Sequence, residues 1–427
     1  MHKKLSVLLL LCGFVSLVFG QTEIPYSRYG LGILQQPEPA FLRGWANQSS
    51  AFHNSYNLNF MNPASYGYLT NTVFEAGLYG SSMKVNSSDS SATFGDGGIS
   101  TLALAFPLMK NKLGFSLGAM PFSRVNYNII QTHDSSGALG ETANYFQGSG
   151  GLNTFYMGAG YKWKNLSFGV NAEYLFGKID YSTILAFPDT QNAYNTLRDE
   201  ARIVSDVIFI GGLQYRLYLD TEKNYAIDFG ITGNLRSNVN ATRDLMYSRF
   251  TYRDNFGVIT TTPHPKDTIS NVSDGNGKII LPARFSVGLM FSKVSHYMIG
   301  LNYQFGKWGD YSSFGEKDFT ADSWKLSAGL QVVPNYKSYM HYFNVVAYRA
   351  GFSMGKNYLE LDGKDLPEYE ADLGLGFPLK RVLSEISLSG ELSHLGSLKD
   401  NPLMISTFRM TLGITLNDRW FQKRKFD

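Results

Sequence analysis

From about Thr70 to Leu416 apolar residues recur at every second position, and that period constrains this chain more than anything else in it. Ile386, Leu388 and Leu392 alternate with Glu385, Ser387, Ser389 and Glu391. Phe408, Met410, Leu412, Ile414 and Leu416 alternate with Arg409, Thr411, Gly413 and Thr415, and Ile227, Phe229 and Ile231 with Asp228, Gly230 and Thr232. One face of each segment is greasy and the other is small or polar. Fourteen such segments can be marked, near 70–85, 99–109, 112–131, 152–164, 165–184, 205–220, 223–240, 280–293, 296–309, 322–334, 341–356, 370–380, 383–396 and 403–417. Every second connection is a tight turn: Lys110-Asn111, Lys164-Asn165, Thr221-Glu222, Val294-Ser295, Pro334-Asn335-Tyr336 and Lys380-Arg381. The connections between these are longer. Short–long alternation over an even number of strands predicts an all-β fold: a 14-stranded antiparallel transmembrane β-barrel with tight periplasmic turns and long outer loops.

Composition agrees. Aromatic residues make up 15% of the chain and charged residues only 17%, against roughly 25% charged in soluble domains. Lys3 and Lys4, the apolar run Leu5 to Phe19 and the step Val18-Phe19-Gly20 read as a signal peptide over residues 1–20. Its removal takes away Cys12, the only cysteine, and lowers the formal charge from +3 to +1. A disulfide framework, a thiolate metal site and a basic field for nucleic acid are thereby excluded. No later run of ~20 apolar residues exists to form a spanning helix. The expected location is the outer membrane, among its lipids.

Residues 21–69, before the first strand, show neither strand alternation nor a helical stripe and are too polar for a core of their own. A segment tied directly to a barrel wall is expected to fold back as a hatch in the lumen, with 70–417 as the wall and 418–427 as a periplasmic tail. Two outer connections have their own expectations. Asp189, Ala193, Leu197 and Ala201 at helical spacing predict a short helix over the mouth, and Ala241 to Lys278 reads as an irregular exposed loop. Pro121 falls inside the third strand, where a missing donor predicts a bulge or, more sharply, a sideways window in the wall. Tyr156, Tyr161, Trp163, Trp308, Tyr311, Trp324 and Trp420 near strand ends read as interfacial girdles.

No enzyme constellation stands out: the seven histidines are isolated, and neither a nucleophile elbow nor a phosphate loop is present. The chain is read as a non-enzyme with no cofactor and no metal ligands. Arg284, Lys325 and Arg409 lie on the inferred lumen face among Glu75, Glu173, Arg216, Asp228, Arg349, Glu385 and Glu391. They are the candidate ligand-binding cations for a carboxylate beside an apolar groove. Pairing with lumen carboxylates is the plainer role for the same three residues.

Arg43-Gly44, then Asn62-Pro63-Ala64 just before the first strand, fourteen strands, the interrupted third strand and Leu281-Pro282-Ala283-Arg284-Phe285 opening a strand together resemble the outer-membrane long-chain fatty acid transporter family, the FadL-like group that includes TodX. The resemblance implies a hatch-plugged barrel for passive uptake of a hydrophobic small molecule such as a long-chain fatty acid. It assigns Arg43, Gly44, Asn62, Pro63 and Ala64 to the hatch or gate, and Pro121 to a kink that forms a side exit. Trp45-Ala46-Asn47-Gln48-Ser49-Ser50 and the tail Trp420-Phe421-Gln422-Lys423-Arg424-Lys425 mark a divergent branch. Some barrels of that kind are similar to the shuttle subunit of the type IX protein-secretion system. The alternative expectation is therefore a non-transporting subunit or scaffold with a protein partner in a secretion or surface complex.

Overall fold

The structure is a computed structural model that describes residues 24–35, 37–133, 140–188, 190, 193–220, 225–253, 259–293, 296–338, 340–379 and 383–418. Residues 1–20 with the expected signal peptide, Asp189, the expected turns at Thr221-Glu222, Val294-Ser295 and Lys380-Arg381, and the tail from 419 lie outside the described residues.

The alternating segments form one closed antiparallel sheet. Its strands are β1 (Thr72–Asn86), β2 (Ser91–Met109), β3 (Leu113–His133), β4 (Thr142–Trp163), β5 (Leu166–Ala186) and β6 (Asn195–Asp220). Then come β7 (Tyr225–Asn234 and Ser237–Arg253), β8 (Ile259–Leu281 and Arg284–Lys293), β9 (Tyr297–Gly306) and β10 (Ser323–Val332). The last four are β11 (Ala347–Leu361), β12 (Lys364–Pro378), β13 (Glu385–Leu395) and β14 (Met404–Asp418). Closure runs from Met404↔Asn86 to Asp418↔Thr72, so the sheet has fourteen strands and both wall termini lie at the short-turn end. β7 and β8 break at the same level, where Pro282 cannot donate to the ladder. The Pro282 carbonyl instead accepts from Asn234 Nδ2 at 3.1 Å.

Which face is wet is the reverse of a soluble protein. Phe74, Leu78, Phe168, Val170, Phe229, Ile231, Leu301, Phe408 and Met410 point outward and are exposed, whereas Ser116, Ser167, Asn171, Gln214, Asn302, Ser327 and Thr415 face inward and are buried. An apolar band outside a polar interior is what a sheet standing in lipid requires. Among the described residues no helix is long and apolar enough to cross a membrane.

Several local expectations are corrected. Leu197 and Ala201 belong to β6, paired with Ile184 and Asp180 of β5, and form no helix. The stretch from Ala241 to Lys278 is mostly ordered as the outer halves of β7 and β8, which pair from Arg253↔Ile259 down to Ser237↔Leu281. The connection through Pro334-Asn335-Tyr336 is no tight turn but spans 333–346. Of the girdle residues, Trp163 and Trp324 are exposed, but Tyr156, Trp308 and Tyr311 are buried inside.

Residues 24–69 pack against the inward face of the wall. They begin near the long-loop end, where Ile24 N–H donates to the Asn126 carbonyl and Tyr26 O–H to the Leu403 carbonyl. They finish at the short-turn end, where Gly67 approaches Lys162. Ile24, Tyr26 and Leu31 join an apolar core with Val125, Ile179, Val204, Ile279, Trp308 and Leu359 in the outer half of the lumen.

Candidate functional site: the lumen and the seam between two wall strands

The two short motifs of the leading segment have separate local causes. Asn62 caps the turn Pro63–Tyr68: its Oδ1 accepts the Ala64 N–H at 3.1 Å, and Pro63 occupies the first position, where no donor is lost. Asn62 Nδ2 donates to the Ser50 carbonyl at 2.6 Å, tying the turn to the loop before it. Pro63 lies against Gly169 so closely that a Cβ there would meet its carbonyl at 2.4 Å. Arg43 ends the helical turn Ala40–Arg43, and its guanidinium reaches Glu391 Oε2 at 2.5 Å and Glu38 Oε2 at 3.8 Å. Gly44 faces Gly374 of β12, where an added Cβ would lie 2.7 Å from the opposing Cα.

Burial governs the charge of the two titratable hatch side chains nearby. It pushes Glu38 up to about 7 against the pull of Arg43. It also pushes His53 down to about 3. His53, stacked on Tyr68 with centroids 3.6 Å apart, is therefore a neutral ring and not an ion-pair partner of Asp228, 3.8 Å away.

Arg284, Lys325 and Arg409 all line one lumen cavity of about 400 Å³, together with Ile33, Leu34, Phe285 and Trp308. Their surroundings differ. Lys325 Nζ is held by Glu370 at 2.5 Å and Glu368 at 3.2 Å. Arg409 lies over the Tyr79 ring at 4.1 Å and reaches Gln35 Oε1 at 3.4 Å. Arg284 donates Nε to Asn234 Oδ1 at 3.3 Å and sits 5.7 Å from the centre of the Phe122 ring. Lys325 is thus saturated by carboxylates, while Arg284 bonds a neutral amide, with the buried Glu173 as its charged neighbour.

Pro121 lies at an irregularity that has two sides. Toward β4 the ladder shifts register between Pro121 and Ser123, which is a bulge. Toward β2 the ladder stops at Leu102↔Ala119, although β2 itself continues, paired with β1, to Ser91. Above that point the free edge of β3 is occupied by the leading segment. Ile33 and Leu34 pair with Arg124 and Ser123, and Gln35 N–H donates to the Phe122 carbonyl at 2.9 Å. Across the seam Arg124 forms an ion pair with Asp96 of β2. Gly32 makes this approach possible, since its φ is +86° and a Cβ would meet the Arg124 carbonyl at 2.4 Å. Neither Gly32 nor Ile33–Gln35 stood out in the sequence; the only signal was Gly30-Leu31-Gly32 between apolar residues.

A closed fourteen-stranded antiparallel barrel with its leading residues against the inner face has a FadL-like fold. Solved structures share this fold at low identity: a Pseudomonas aeruginosa FadL homologue (13% identity, 90% of this chain and 99% of that one, TM-score 0.61). The Ralstonia pickettii toluene transporter TbuX is similar at 12% identity over 89% of this chain and 98% of that one, TM-score 0.55. The P. putida toluene transporter TodX is similar at 14% over 88% and 98%, TM-score 0.54. No curated protein sequence matches the chain. The family described as BamG matches residues 1–427, and the protein belongs to that family.

Proposed function

We propose that this is an outer-membrane conduit for passive uptake of a hydrophobic molecule of the long-chain fatty acid type. The molecule enters from the long-loop end, lodges in the cavity with its carboxylate toward Arg284, and leaves sideways between β2 and β3. The observation that carries the reading is the seam above Ala119, closed by a strip of the protein's own leading segment rather than by a wall strand. That strip acts as the gate: when Ile33–Gln35 releases β3, the lumen opens toward lipid. A disulfide between Leu34→Cys and Ser123→Cys tests it, because those residues are direct cross-strand partners and such pairs lie within disulfide reach. With no other cysteine in the mature chain, oxidation should abolish most uptake and reduction should restore it. Unchanged uptake of both a fatty acid and toluene by the cross-linked barrel overturns the gate.

A different observation favours a second reading, a non-transporting barrel subunit of a secretion or surface complex. The connection 333–346 at the short-turn end exposes Met340 to 90%, more than any large apolar residue of the wall, and Phe343 to 70%. A stoichiometric protein partner in gently solubilised membranes, lost in Met340→Ser/Phe343→Ser with uptake unaffected, would favour this reading over the first.

A further inference from the structure

On the inward face of β12 and β13 three carboxylates meet. Asp372 lies directly opposite Glu391 in the ladder, and Glu370 is two residues before Asp372 on the same face. One oxygen from each lies within 4.8 Å of the others, and all three residues are buried. Like charges placed opposite each other on neighbouring strands repel. Two of the three have cations: Glu370 holds Lys325 at 2.5 Å and Glu391 holds Arg43 at 2.5 Å. Asp372 differs. It is 2% exposed, and neither of its oxygens has a hydrogen-bond partner.

Two further observations point the same way. The buried hydroxyls of Ser353, directly across from Glu370 on β11, and Ser389, two residues from Glu391, are also without partners. Around the cluster, the carboxylates of Glu38, Glu368, Glu370, Asp372 and Glu391 share the cations Arg43, Lys325 and Arg409. A buried carboxylate without a partner, such as Asp372, must take up either a proton or a cation.

We infer that Glu370, Asp372 and Glu391 form a calcium site that joins β12 and β13 to the hatch at Arg43. The donors are all hard oxygens. Three protein carboxylates, with the serine hydroxyls or water to complete the coordination, suit the many-oxygen shell of calcium, whereas magnesium keeps several of its waters and is held by one or two carboxylates. Because Arg43 bonds Glu391, the ion also decides how firmly the helical turn Ala40–Arg43 is seated. This inference does not depend on whether the barrel transports anything.

The test is calcium binding to the full-length barrel in detergent, stripped with chelator and then titrated with calcium alone. One saturable equivalent is expected, with magnesium competing weakly and a higher melting temperature in calcium than in chelator. Asp372→Asn and, separately, Glu370→Gln should weaken binding at least about tenfold, the scale on which metal sites respond even to loss of a supporting group. Heat-modifiable gel mobility checks that each variant still forms a barrel. Absence of saturable calcium binding by the unaltered protein overturns the site, and so does unchanged binding in a folded Asp372→Asn barrel. If that variant does not fold, Glu370→Gln decides by the same criterion.

Discussion

Two stretches of the leading segment, a few residues apart, are held to the wall in different ways. Ile33–Gln35 is only half-buried and is attached by strand pairing to the edge of β3. Residues 38–53 are buried throughout, with Phe41, Leu42, Trp45 and Phe52 each at 2% exposure or less. A backbone hydrogen bond contributes a net of roughly 0.5–1.5 kcal/mol, whereas each fully buried large apolar side chain contributes roughly 1.5–3 kcal/mol. The first attachment can be undone locally; the second can be undone only by emptying the lumen. The strip on the seam is thus the part of the segment that costs least to release, and residues 38–53 are its mount.

The hardest way to break that contrast is to attack the mount. A Cβ at Gly230 would lie 1.9 Å from the Ser50 carbonyl, so Gly230→Val should expel the loop around Ser50. Loss of the heat-modifiable barrel or protease cleavage within 40–69 is expected. A fully protected hatch in this variant would mean the mount yields more easily than its packing suggests. Gly32→Ala should act next in size and only on the strip. The left-handed backbone costs a non-glycine residue about 1–2 kcal/mol, and the Arg124 carbonyl leaves no room for the methyl. Cleavage near Ile33 should rise while the barrel's melting temperature changes little; equal loosening of both stretches would erase the distinction between them.

Acid offers the mildest probe. His53 has its pKa lowered from 6.5 to about 3 in place. The seated hatch therefore binds fewer protons than the released one at acid pH. Its contribution is present in full above pH 6.5 and declines as the pH falls from there toward 3, by up to about 1.4 kcal/mol per pH unit. Glu38, raised from 4.5 to about 7 in place, works the other way between those two values, so protection of residues 40–69 from protease should weaken chiefly as the pH falls from 4.5 toward 3, and His53→Gln should flatten that decline. Pressing the two stretches with acid should loosen the mount and leave the pairing of Ile33–Gln35 with β3 unchanged.

How far the sequence could be read follows from where lipid touches the wall. Within the apolar band every second side chain is forced to be greasy, and there the fourteen strands are visible with their ends nearly right, as in β14. Beyond the band both faces are free to be polar, the period disappears, and the outer halves of β6, β7 and β8 read as loop. The helix expected from Ala193, Leu197 and Ala201 has a simple origin. Residues four apart share a side in a strand as well as in a helix, so that spacing cannot separate the two. The lumen cations were legible as inward-facing residues, and Arg284, Lys325 and Arg409 do line one cavity. Their partners were not, because Lys325 meets Glu370 only through the register of β10, β11 and β12. The crowding of Asp372 against Glu391 is likewise a product of register, which no single strand announces.

The leading segment touches the wall on all sides: Ile24 meets β3, Ala40 meets Gly413 of β14, Ser50 meets Gly230 of β7, and Tyr26 bonds to Leu403 just before β14. A peptide gripped so completely cannot be threaded into a finished cylinder. The packing predicts that it is laid down before closure, as a template, with the final strand zipping to the first once the staves have gathered around it. A variant chain that keeps residues 1–20 but lacks 21–69 should thus fail at closure, before any question of permeability arises.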